Sequence, residues 1–277
     1  LVEVRGATLS DCRIARCDQG IDAVAERIHI EDCDIGGCGA AGADGHCRAL
    51  SLFAGQALVR GCLLHDQLFG QSLRSTCGRL ELVANRITAA ADGEISIATG
   101  AQPTIAILSG NLIVSSAARP DNSVRFIQVE GEGDGVLQLI GNTCVAADAR
   151  NVFLIPGRLA VAADGNIFTG SERIAEAGRV EGYRNWLPPG AAVPPGFRDS
   201  RSGAAPGFRD AAQGDYSLAP DSPCRNAVRD LWSQDVDAPH ASGTVGGLVP
   251  KRMPAASSRA GSRARTARTD MGAFEDG

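Results

Sequence analysis

Four stretches of the chain share one phrase: RLELVANRI (79–87), TIAILSGNLI (104–113), LQLIGNTC (137–144) and LAVAADGNIF (159–168). Each is an alternating apolar run that reaches an Asn and resumes with an apolar side chain two residues later. With the Asn as anchor, the phrase extends to Cys12, Cys33, Cys62, Asn85, Asn111, Asn142 and Asn166. The intervals of 21, 29, 23, 26, 31 and 24 residues are the periods of a solenoid, propeller or array. Five residues before the anchors stand Ala7, Ile28, Ala57, Leu80, Ala106, Leu137 and Val161. Three before stand Leu9, Ile30, Val59, Leu82, Leu108, Leu139 and Ala163, and two after stand Ile14, Ile35, Leu64, Ile87, Ile113, Cys144 and Phe168. All 21 positions are apolar, where a composition of 44% hydrophobic residues would give about nine.

The spacing of two before each anchor is strand alternation, which turns Thr8, His29, Glu81 and Gln138 outward. The anchor interrupts it: an inward polar residue followed by an inward apolar one marks a corner between two strands. A second apolar run lies in most repeats, as RALSLF, GEISIAT, RFIQVE and NVFLIP. Each repeat is therefore one turn of a coil, and coils stacked about 4.8 Å apart make parallel sheets. The Asn at each corner is expected to bond backbone amides that the bend leaves unpaired, and to bond its neighbours from coil to coil. The first three anchors are Cys, a small buried filler in the same slot.

This pattern over residues 1–180 resembles the right-handed parallel β-helix family, pectate-lyase-like in kind. The fold class expected is all-β, a right-handed single-stranded parallel β-helix of about seven coils with an irregular C-terminal cap. Residues 181–277 carry that cap. Pro206, Phe208 and Asp210, then Gly214–Leu218, Ser222 and Pro223, and finally Asp270, Gly272, Ala273 and Glu275 are similar in order to the terminal module of secreted bacterial β-helix proteins. Cys224, Arg225 and Asn226 depart from that pattern. The module is expected to cover the open last coil, whose strand edges would otherwise invite aggregation. Within it, 241–269 holds six cations and no acid and reads as an inserted mobile loop.

The composition narrows the chemistry. A net charge of −5 argues against a general affinity for nucleic acid, and no apolar run is long enough to span a membrane. Nine cysteines leave at least one outside any internal pairing. Cys17 and Cys38 stand five residues past adjacent anchors and are the best candidates for a disulfide, with Cys47 and Cys77 a further option. The resemblance implies secretion or display at a bacterial cell surface and a polysaccharide or surface component as partner. Members of the family commonly act on acidic polysaccharides.

Lyase chemistry needs a cation or metal beside the sugar carboxylate and a base for the adjacent proton; hydrolysis needs paired carboxylates. The only Lys is Lys251, in the basic loop, and no Asp-Asp pair occurs. Two constellations remain. Asp44, His46 and Arg48 lie on a lengthened second coil, and His65 with Asp66 leaves the same corner one coil on, which together form a candidate acid–base cluster. Asp11 and Asp32 hold the same position on adjacent coils beside Glu31 and Asp34, an oxygen-rich group suited to Ca²⁺. Both Trp and both Tyr fall in the C-terminal part, so the coils offer few aromatic platforms for a sugar. The reading favoured is an extracellular scaffold or binding domain without chemistry of its own; the alternative is a polysaccharide lyase or glycoside hydrolase.

Overall fold

The computed structural model describes residues 5–39, 48–115, 125–176, 178–227 and 272–273. Two parallel sheets dominate it, one of twelve strands and one of nine, with a separate two-stranded antiparallel hairpin. The wide sheet takes the strand before each anchor and the narrow sheet the three-residue strand after it, so the chain coils as a parallel β-helix.

The three apolar columns lie in register. Leu9, Ile30, Val59, Leu82, Leu108, Leu139 and Ala163 pair rung to rung down the wide sheet. Ile14, Ile35, Leu64, Ile87, Ile113, Cys144 and Phe168 do the same down the narrow one. From the second rung on, these side chains are almost wholly buried in one continuous core. The second apolar runs also stack. Gly93–Ala98, Arg125–Glu130 and Val152–Ile155 continue the first halves of the long strands Ile21–Glu31, Leu50–Arg60 and Gln71–Val83.

The corner chemistry is now visible. Asn85, Asn111, Asn142, Asn166 and Asn185 form an unbroken ladder. Each side-chain oxygen from Asn111 onward accepts both the backbone N–H and the side-chain amide of the Asn one rung earlier, at 2.9–3.0 Å. Each side-chain amide also donates to a carbonyl of the preceding rung, as Asn111 does to Leu82 and Asn142 to Leu108, both at 2.9 Å. Beyond the Asn series, Cys62 N–H donates to Asn85 Oδ1 at 2.9 Å, and Cys33 N–H reaches the Cys62 sulfur at 3.5 Å. The residue just before every anchor sits in the left-handed region, with φ near 50–66° at Asp11, Asp32, Gly61, Ala84, Gly110, Gly141, Gly165 and Arg184. That conformation favours Gly and, among other residues, Asp and Asn.

Two rungs follow the seven in the sequence pattern. Asn185 and Ser200 act as further anchors, and Arg179–Tyr183, Trp186–Leu187, Gly196–Arg198 and Arg201–Ser202 pair in parallel. The parallel coils thus run to residue 202, past the expected boundary at 180. Gly182 hid the eighth rung, because it stands where every earlier phrase has an apolar side chain. A Cβ there would meet the Ala163 carbonyl of the preceding rung at 2.3 Å and the Phe197 ring of the next at 2.8 Å, so the close approach of both neighbours demands glycine.

The described part of the C-terminal module lies along the side of the coils. Its hairpin, Phe208–Asp210 with Asp215–Leu218, packs through Leu218, with Cys224 beside it, on Ile167 and Trp186, which project from the outer face of the narrow sheet. Gly272 donates to the Gly165 carbonyl at 2.8 Å and Ala273 to Thr143 Oγ1 at 2.9 Å. The described part of the module therefore covers a flank of the coils. The loop 241–269 lies outside the described residues.

Asn142→Ala strands the Asn111 backbone N–H and the Leu108 carbonyl in the core. Loss of such buried partners is expected to cost about 3 kcal/mol, read as a lower denaturation midpoint. Glu132→Ala, at an exposed turn, is expected to shift stability by less than about 0.5 kcal/mol.

Candidate functional site

On the outer face of the narrow sheet, position one after the anchor is Arg13, Asp34 and Leu63 on the first three rungs, and position three is Ala15, Gly36 and His65. The His65 ring sits against Gly36. A Cβ at 36 would come within 2.3–2.6 Å of three ring atoms, so the glycine makes room for the imidazole. From there His65 Nε2 meets Asp34 Oδ1 at 2.9 Å and Nδ1 meets Asp66 Oδ2 at 2.8 Å, while Arg13 Nε stands 3.5 Å from the other Asp34 oxygen. Asp66 holds φ 53° at the turn out of the sheet, which swings its carboxylate back toward the ring.

The sequence pattern assigns Asp34 to one constellation and His65 with Asp66 to another; the coil brings these three together. Partial burial pulls the His65 pKa down, but hydrogen bonds and charge from Asp66 and Asp34 outweigh it, and the net shift is upward. Each ring nitrogen faces a carboxylate, and the upward shift favours the protonated ring. Both nitrogens are therefore engaged by carboxylates of the protein itself. The ring's plain role is to tie two rungs together.

The remaining candidates are dispersed. Glu31 bridges to Arg60 on the next rung at 3.4 Å, with His29 Nε2 3.6 Å from its other oxygen. Asp11 and Asp32 fill the left-handed corner position, and Asp32 Oδ1 lies 2.2 Å from where a Cβ at Gly61 would stand. The Asp32 pKa is raised, first by burial, then by Glu31 and Asp11, against the pull of Arg60. Among the described residues no group of three or more His, Cys, Asp or Glu side chains is placed to hold a metal ion. Arg48 leads into the third rung, its carbonyl accepting from Gly20 N–H at 2.9 Å. Asp44 and His46 lie outside the described residues.

The outer face of the wide sheet carries what the sequence pattern did not single out. A cleft of about 420 Å³ opens over the first four rungs. Arg27, Gln56 and Arg79 form one register column along it, and Thr8, His29, Leu58 and Glu81 the next. Arg79 is steadied by Glu81 at 2.7 Å. The signal lay in the residues between the apolar columns, which alternation turns outward in every repeat. Phe53 and Val24, register neighbours on the first halves of the long strands, are both exposed, so one ring does face solvent from the coils. Phe126, Phe153 and Phe168 stack inside, with centroids 4.8 and 5.2 Å apart.

One buried acid also escaped the pattern. Glu94, wholly inaccessible, accepts from Ser72 Oγ at 3.0 Å and from Ala90 N–H at 3.2 Å. Burial pushes its pKa up to about 7 against these two bonds.

The chain matches no protein-family model, no curated protein and no solved structure. Among the described residues no helix is long and apolar enough to cross a membrane.

Both unusual groups make stability fall as pH rises. Glu94 binds its proton more tightly folded than unfolded, so its penalty is absent below the ordinary pKa of 4.5 and complete above about 7. The His65 contribution is full below 6.5 and lost as pH climbs through its raised folded value. Thermal melts from pH 5 to pH 9 are expected to show falling midpoints. Glu94→Gln should flatten the lower part of that curve and His65→Gln the upper part.

Proposed function

We propose that the chain is an extracellular binding scaffold, related in kind to the pectate-lyase-like β-helices, that presents the wide-sheet face to an acidic polysaccharide or another surface component. The observation that carries this reading is the cleft over the first four rungs, where polar and cationic side chains repeat in register on a face braced from within. Parallel stacking sets successive side chains of a column about 4.8 Å apart, close to the rise of one sugar along an extended glycan chain. Arg27 and Arg79, two rungs apart, would then meet anionic groups on every second sugar. Guanidinium groups suit this role because they pair with carboxylates in a planar, bidentate manner. Display at a bacterial surface belongs to the same reading.

A role without catalysis is supported by the state of His65, whose two nitrogens are both engaged, and by the cleft's own acid, Glu81, which is tied to Arg79.

The test is a panel of uronate-rich polysaccharides offered to the full chain. Binding is expected, weakened at least tenfold in Arg27→Ala/Arg79→Ala with the melting temperature little changed, and weakened by salt. The reading fails if the double variant binds as well as the parent. Appearance of unsaturated sugar ends, followed by ultraviolet absorbance, would instead establish a lyase.

A further inference from the structure

The thiols five residues past the first two anchors play no part in the proposed binding face. Cys17 and Cys38 follow Arg13–Ala15 and Asp34–Gly36, which pair in parallel register. Backbone bonds clamp the two turns on either side: Arg16 N–H donates to the Gly36 carbonyl at 3.2 Å, and Gly39 N–H to the Cys17 carbonyl at 2.9 Å. Between these bonds the sulfurs lie 3.0 Å apart. Cys38 is buried completely, whereas Cys17 is only partly buried.

We propose that Cys17 and Cys38 form a reversible disulfide that fastens the first described rung to the second. That rung is the one with most to gain. Leu9, Cys12 and Ile14 are only partly buried, while their partners Ile30, Cys33 and Ile35 are buried. Its corner also lacks the Asn amide that ties later rungs together. A link between residues 21 apart in sequence restrains the unfolded chain as well as the loose rung.

The other row of thiols is poorly suited to such exchange. Burial raises the pKa of Cys33 and takes that of Cys62 to about 12, so the thiolate that exchange requires is scarce at those positions.

The oxidant is a small-molecule disulfide such as oxidised glutathione. The Cys17 thiol gives up its proton and its sulfur attacks one sulfur of the oxidant, breaking that bond and releasing one glutathione thiolate. The Cys38 thiol then loses its proton and attacks Cys17 Sγ, expelling the second glutathione. Two protein thiols are oxidised by two electrons, and one glutathione disulfide is reduced to two thiols.

The experiment treats the full chain with oxidised glutathione, then maps cross-links by non-reducing digestion and fragmentation mass spectrometry. A peptide pair joined at Cys17 and Cys38, lighter by two hydrogens, is expected. It should come with a melting temperature raised by a few degrees and slower amide exchange over residues 6–15. In Cys17→Ser the thermal and exchange effects should vanish, while the untreated variant melts close to the untreated parent. The proposal is overturned if Cys17 stays open to alkylation after treatment, if it joins any other cysteine, or if the thermal gain persists in Cys17→Ser.

Discussion

Everything in this molecule depends on satisfying backbone polar groups at a corner buried inside the coil. A chain that turns from one sheet into another must leave an N–H and a carbonyl without strand partners, and no water reaches them there. The Asn ladder answers that need along the axis. One amide supplies an acceptor for the rung before it and two donors for the groups around it, so five Asn residues bond as one row. Such rows polarise one another, and their strength exceeds that of isolated pairs. They also set the register: a rung slipped by one residue would place its Asn among leucines and leave its neighbours unpaired.

The first three corners solve the same problem less completely. A thiol accepts weakly and donates weakly, and Cys33 and Cys62 turn their hydrogens to carbonyls of their own rung, Glu31 and Arg60, at 3.3 Å. The tie from rung to rung is correspondingly thinner. At this same end lie the cleft, the cationic column and the Asp34–His65–Asp66 group. The rungs with the weakest internal corners are also tied by ionic bonds across their outer faces.

In-register stacking explains those bonds. Equivalent positions sit directly above one another, so a charge in one column faces its counterpart one rung away. Glu31 meets Arg60 and Arg13 meets Asp34, while His65 answers Asp34 from the adjacent column. Where the column one past the anchor turns from Arg13, Asp34, Leu63 and Arg86 to Leu112, Thr143, Ile167 and Trp186, its members become buried. The hairpin and Cys224 lie over the last two of these. The change of character along that column was the sequence signal for where the C-terminal module docks.

The coil, its corners, its parallel stacking and the vertical alignment of Leu82, Leu108 and Leu139 were all legible in the chain, because alternation and a repeated anchor state which side chains face inward. Gly182 concealed the eighth rung, since a residue with no side chain carries no hydrophobic signal. The grouping of Asp34 with His65 and Asp66 was equally hidden, for it depends on which side chain on one rung lies over a glycine on another. The burial of Glu94 beside Ser72 and the closeness of Arg27, Gln56 and Arg79 belong to the same class. Local pattern, repeated, determines a fold built from near neighbours in a coil. Distances between side chains on different rungs, and the charge states that follow from them, arise only once the rungs are stacked.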